Sequence, residues 1–165
     1  MTIDETLAYA RHLHAGQIDQ FGQPYHTHLE RVLVHLRRLF PQAGDAAQHA
    51  ALLHGCVEEK RTTFAALRRA GYSPEIVEMV RWNTRPRGDG APPYLEWIQR
   101  LADEAPLGAV MIRIADNEDN NDPRRIALLA EDKRDVSAVY AKARHILEAA
   151  LSRRRANAGE LAATR

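Results

Sequence analysis

The chain has 165 residues, of which 45% are hydrophobic and 27% are charged. This length predicts one domain with a sizeable core. The 23 basic and 22 acidic side chains nearly cancel, which argues against nucleic acid or an anionic membrane as a partner. The single cysteine, Cys56, excludes an internal disulfide framework and fits a reducing cytosol. No signal peptide or membrane-length apolar run is present, so a cytoplasmic location is expected.

Helical periodicity and helix-end signals cover most of the chain. Thr2 and Glu5, for example, have the spacing of a capping box. The predicted helices span residues 3–15, 26–40, 45–59, 62–71, 74–81, 94–105, 107–120 and 132–155. The expected fold is therefore all-α, a single helical domain of about eight helices over 1–155, followed by a disordered tail over 156–165.

In the segment 50–59, His54 follows directly after an apolar run, and Glu58 lies four residues later. In a helix this spacing places an imidazole and a carboxylate on one face. A neutral imidazole is the commonest protein ligand for transition metals. The spacing leaves two alternatives open, a metal ligand or a core histidine with one satisfied hydrogen bond. The same two alternatives hold for His28.

A second candidate is Asp116, which follows the apolar segment 110–115. Burial of that segment would carry the carboxylate into the interior, where it needs a cation or a metal as a partner. Asn120 lies four residues later and would face the same cavity. The alternative is a helix end whose Asp and Asn side chains cap the next element, at Asp122.

Four arginines could hold an anion, since a guanidinium binds phosphate through two parallel hydrogen bonds. They are Arg61, Arg81, Arg85 and Arg87. For any one of them taken alone, a solvated surface charge is the simpler interpretation.

Taken together, these stretches resemble the HD-domain metal-dependent phosphohydrolases, in particular the RelA/SpoT-type hydrolase domain and its small stand-alone relatives. The resemblance runs from about Ala8 to Arg125. The residues that carry it are His14-Ala-Gly-Gln17, Gly22-Gln-Pro-Tyr25, His28, Ala50-Ala-Leu-Leu-His54, Val57-Glu-Glu59, Thr84, Tyr94, Ile114-Ala-Asp116 and Asn120.

The resemblance implies an all-helical domain with a divalent metal, usually manganese, that removes pyrophosphate from the 3′ position of guanosine tetra- or pentaphosphate. It implies that His28, His54 and Asp116 bind the metal. It also implies that Glu58 and Glu59 are catalytic. Contacts with the nucleotide are expected from Asn120, Tyr94 and Gln20.

One departure from the family bears directly on the metal. Gly55 stands where the family has the aspartate of its His-Asp pair. Two imidazoles and one carboxylate remain, which suffices for some iron and zinc sites with open positions. The sequence therefore leaves two hypotheses: a phosphohydrolase with an incomplete metal site, or an inactive protein of the same fold that binds a nucleotide or a partner. A nucleic-acid binder using the Arg-rich C-terminal helix is a third idea, and the near-zero net charge argues against it.

Overall fold

Nine α-helices and one short 3-10 helix make up the fold, described here by a computed structural model that covers the backbone of residues 1–163 and the side chains of 1–157. The α-helices are α1 (Ile3–Leu13), α2 (Tyr25–Leu39), α3 (Asp45–Leu53), α4 (Phe64–Arg69), α5 (Pro74–Asn83), α6 (Tyr94–Glu104), α7 (Leu107–Asn120), α8 (Pro123–Ile126) and α9 (Val136–Ala163). No strand occurs within the described residues, and an isolated bridge joins Ile18 to Pro24. The all-α prediction is confirmed.

The helix starts follow the local sequence signals. At α1 the Thr2 hydroxyl accepts a hydrogen bond from the Glu5 N–H at 3.1 Å, and the Glu5 carboxylate accepts one from the Thr2 N–H at 2.7 Å. This capping box satisfies two amide groups that have no partner inside the helix. At α5 the Ser73 hydroxyl accepts from the Ile76 N–H, and Pro74 occupies the first helical position.

Helix α7 lies at the centre of the molecule and packs against α2, α3, α5 and α9. Its apolar side chains, such as Ile112, join a core that includes Leu36 of α2, Leu53 of α3 and Leu101 of α6, all fully buried. Burial of each such side chain contributes about 1.5–3 kcal/mol. The core therefore fixes α2, α3 and α7 relative to one another, and these three helices carry the candidate site.

The third helix is shorter than the sequence pattern indicates. It ends at Leu53, and residues 54–60 form turns, so the prediction of a helix to residue 59 is wrong. Gly55 disfavours helix by about 1 kcal/mol relative to alanine. Lys60 adopts a left-handed conformation with φ of 57°, and the Arg61 N–H bonds the Cys56 carbonyl at 2.8 Å. His54 and Glu58 consequently do not share a helix face.

The C-terminal part also differs from the prediction. The sequence predicts no helix between residues 120 and 132, but the Asp122 side chain accepts a hydrogen bond from the Arg124 N–H and starts the short helix α8. Helix α9 begins at Val136 and continues past residue 155 to Ala163, where the sequence predicts a tail. The rest of that expected tail, 164–165, lies outside the described residues.

None of the helices described has the combination of length and hydrophobicity that spanning a lipid bilayer requires.

Candidate functional site

Three side chains from different helices meet at one buried point. His28 of α2, His54 at the end of α3 and Asp116 of α7 are each at least nine-tenths buried, and each offers a ligand atom within 4.8 Å of the others. Asp116 Oδ1 lies 3.2 Å from His28 Nε2 and 3.4 Å from His54 Nε2. Bonds of about 2.0–2.2 Å to one shared ion would hold neighbouring ligand atoms roughly 3.0–3.5 Å apart. The donor set therefore fits a divalent cation.

The other nitrogen of each imidazole is held by a hydrogen bond. His54 Nδ1 lies 2.7 Å from the Ala51 carbonyl, which can only accept, so Nδ1 carries the proton. His28 Nδ1 lies 2.7 Å from Oδ2 of the buried Asp119 carboxylate. Both rings thus direct Nε2 toward Asp116. Metal-binding histidines in proteins are typically oriented in this way.

Asp116 is held by groups on its own helix. The Arg113 guanidinium donates to Oδ2 at 2.7 Å, and the Asn120 amide donates to Oδ1 at 2.8 Å. Burial alone would favour the neutral acid, but Arg113 and the hydrogen bonds from His28 and His54 hold the pKa of Asp116 well below its usual range. The side chain that caps the following element, α8, is that of Asp122, whereas the Asp116 carboxylate faces the two histidines.

The surroundings of His28 favour positive charge. Burial lowers the pKa of its imidazole, but hydrogen bonds and charge interactions with Asp116 and Asp119 outweigh burial and raise that pKa to about 9. The same two carboxylates would stabilise a metal cation at this point.

A cavity of about 340 Å³ opens above the three side chains. Glu58 and Glu59 reach it from the turn 54–60. Glu58 accepts hydrogen bonds from the Arg85 N–H at 3.2 Å and from Arg87 Nη2 at 2.8 Å. Glu59 accepts from Gln17 Nε2 at 3.0 Å. Although His54 and Glu58 are not on one helix, the turn still brings both acids to the same cavity as the histidines.

The three residues expected to contact a nucleotide, Asn120, Tyr94 and Gln20, all line this cavity. Tyr94 donates its hydroxyl proton to Asn117 at 3.2 Å, and burial raises the pKa of this phenol. The Arg85 guanidinium lies 5.2 Å from the centre of the Tyr94 ring, within the range of a cation–π interaction.

The four arginines considered as anion ligands separate into two pairs. Arg85 and Arg87 line the cavity. Arg81 instead stacks on Phe64, with 4.3 Å between the guanidinium carbon and the ring centre, and Arg61 donates to Gln17. The structure therefore places two of the four beside the candidate site.

Several residues of the site carry no role in the sequence analysis. Arg113 interrupts an apolar segment, and a charged side chain in such a position is a signal of a buried ion pair. Asp119 lies three residues after Asp116, so a helix places the two on neighbouring positions. Tyr25 and Tyr140 also line the cavity, and no spacing rule singles them out.

Comparison with solved structures identifies the fold. The chain superposes with a TM-score of 0.72 on a metazoan ortholog of SpoT that hydrolyses ppGpp and plays a role in starvation responses. The two are 22% identical, and the match covers 92% of this chain and 94% of the other. No protein-family model matches the chain, and no curated protein matches it significantly in sequence. The chain therefore has the HD-type fold of the RelA/SpoT hydrolases.

Proposed function

We propose that this protein is a metal-dependent phosphohydrolase that removes pyrophosphate from the 3′ position of guanosine tetra- or pentaphosphate. The observation that carries the proposal is the meeting of His28, His54 and Asp116 at the base of a cavity that also contains Glu58. The fold of a ppGpp-hydrolysing SpoT ortholog supports the same substrate class.

In this proposal His28, His54 and Asp116 hold the metal, with manganese as the expected ion. When bound, a divalent cation polarises a phosphoryl oxygen and makes a nearby water more acidic. Asp119 and the Ala51 carbonyl keep the two imidazoles in the orientation that presents Nε2. Arg113 keeps Asp116 ionised, because its guanidinium forms a buried ion pair with that carboxylate.

Glu58 and Glu59 are the proposed catalytic carboxylates. A carboxylate at the cavity wall can orient the attacking water and accept its proton as the water oxygen bonds to the phosphorus next to the ribose 3′-oxygen. The bond between that phosphorus and the 3′-oxygen breaks, the 3′-oxygen takes up a proton, and the released pyrophosphate carries the oxygen of the water. Glu58 is the stronger candidate, since its side chain is 19% exposed and is held by two hydrogen bonds. Glu59, at 31%, is more open to solvent.

The remaining wall is suited to an anionic nucleotide. Arg85 and Arg87 supply positive charge, and Arg85 Nε is a buried donor without a hydrogen-bond partner among the described residues. Phosphate oxygens are the natural acceptors for such a guanidinium. Asn120, Tyr94 and Gln20 are the proposed contacts for the rest of the nucleotide.

The test is metal content and hydrolysis in the same preparation. Protein purified without chelator should bind about one equivalent of manganese and release pyrophosphate from ppGpp. Asp116→Asn should abolish both, whereas the control His145→Ala on the exposed face of α9 should leave both unchanged. Nucleotide binding without metal and without hydrolysis would refute the enzyme and support the inactive binding protein instead.

A further inference from the structure

The wall of the cavity beside His54 lacks a side chain, because the next residue is Gly55. A Cβ atom placed on Gly55 would overlap the hydroxyl oxygen of Tyr25 and would lie 3.0 Å from its Cζ. The Tyr25 hydroxyl therefore occupies the space that a side chain at position 55 would take. This oxygen lies directly against the backbone that carries His54.

Tyr25 is also tied to the other histidine of the site. It is the first residue of α2, one helical turn before His28, and the two ring centres are 5.7 Å apart. The Tyr25 ring also stacks on the buried His14 ring, with 4.4 Å between the ring centres. The phenol is thus held in place by two histidine rings, and its hydroxyl forms no hydrogen bond with another described side chain.

We propose that the Tyr25 hydroxyl oxygen is a further ligand of the metal, an inference that rests on the proposed function. His28, His54 and Asp116 provide three ligands and leave coordination positions open. Phenol oxygens of tyrosine do bind iron in proteins. On metal binding the phenol transfers its proton to solvent, and its oxygen supplies an anionic donor beside Gly55.

Manganese affinity tests this assignment without reference to activity. Titration of free Mn²⁺, followed by electron paramagnetic resonance, should show that Tyr25→Phe weakens binding tenfold or more, since loss of even an outer partner of a metal ligand costs about 10–100-fold. Tyr9→Phe removes a phenol hydroxyl outside the cavity and should leave the affinity unchanged. Thermal melting of each variant checks that it is folded.

A double-variant cycle makes the test specific to position 55. In Gly55→Asp the new carboxylate takes the space of the hydroxyl and displaces the end of the Tyr25 side chain. Tyr25→Phe should then change the manganese affinity by less than twofold in the Gly55→Asp background, although it weakens binding tenfold or more in the natural chain. Equal losses in both backgrounds would overturn the ligand role.

A ferric complex gives a spectroscopic signature. Fe³⁺ bound by the natural chain should show the visible charge-transfer absorption of an iron-phenolate, and Tyr25→Phe should remove it. If metal binds in an Asp116-dependent way but shows neither this band nor any dependence on Tyr25, the ligand role is refuted and the proposed function stands. If the natural chain binds no metal at all, the ligand role of Tyr25 and the proposed function are both refuted.

Discussion

The Nδ1 atom of His28 lies 2.7 Å from Oδ2 of Asp119, and this contact joins α2 to α7 beneath the cavity. The same carboxylate accepts a hydrogen bond from Arg31 Nε at 2.6 Å and lies 3.4 Å from Arg125 Nε. Asp119 is 1% exposed. One buried acid thus orients a proposed metal ligand and connects three segments of the chain.

Asp119→Asn tests the orienting role. An amide cannot match the charge of the carboxylate, so His28 should lose its fixed orientation and manganese affinity should fall about 10–100-fold. Asp103→Asn, on the exposed face of α6, is the control and should have no effect. Unchanged affinity in folded Asp119→Asn protein would show that the contact is dispensable.

Glu58→Gln tests general-base catalysis. The amide keeps the size of the side chain and removes its ability to accept a proton, so the rate constant for ppGpp hydrolysis should fall about 10²–10⁴-fold. Manganese affinity should stay within a few-fold, because Glu58 is not one of the proposed metal ligands. Glu75→Gln, at an exposed position of α5, is the control and should behave as the natural chain. Full activity of the Glu58→Gln protein would show that Glu58 is not the general base and would leave Glu59 as the candidate.

Arg113→Met tests the buried ion pair with Asp116. The guanidinium also donates to the Asn83 side chain at 3.1 Å and to its carbonyl. Removal leaves a buried carboxylate without its cation, so the free energy of unfolding should fall by about 3–5 kcal/mol. Arg153→Met removes the exposed partner of Asp103 and should cost no more than about 1 kcal/mol. Urea unfolding measures the loss of stability in each variant. Losses of similar size would contradict the expected difference between the buried and the exposed ion pair.

Lys60→Gly should stabilise the protein. Lys60 is exposed and has φ of 57°, a conformation that costs a residue with a Cβ atom about 1–2 kcal/mol. Part of this gain is offset because glycine is more flexible in the unfolded chain, so an increase of about 0.5–1 kcal/mol is expected in urea unfolding. Lys60→Ala keeps the Cβ atom and should give no increase. A destabilised Lys60→Gly protein would contradict the turn geometry.

Cys56 should be unreactive in the folded protein. Its side chain is fully buried, and burial raises the pKa of the thiol to about 12. Near pH 8 the thiol is therefore protonated as well as inaccessible, and reaction with a disulfide reagent requires opening of the turn 54–60. The reagent should label one thiol in urea and none in native buffer. Rapid labelling in native buffer would show that this turn is open.

Helix positions were largely predictable because their signals are local. Capping at Thr2 and Ser73, and proline at the start of α5, needed no tertiary information. The apolar pattern of the third helix continues through Gly55 and so predicts a longer helix than the chain forms, because the chain turns after Leu53. The close approach of Tyr25 to Gly55 is a contact between distant segments, and periodicity carries no information about it.

The site was only partly predictable for a related reason. The expectation that Asp116 needs a buried cation followed from solvation, and Arg113 is that cation. Which residues meet His28 depends on how α2 crosses α7, and no spacing within either helix determines this. The grouping of His28, His54 and Asp116 came from resemblance to a family rather than from the residue pattern alone.

The position of Asp119 has a consequence for engineering this chain. Because the Asp119 carboxylate both joins the helices and orients the His28 imidazole, thermal stability and the proposed metal binding depend on the same residue. Libraries that vary Arg31, Asp119 or Arg125 will lose both properties together. Stabilising substitutions should be sought on the solvent-facing sides of α1 and α9, where side chains can be replaced without contact with the candidate site.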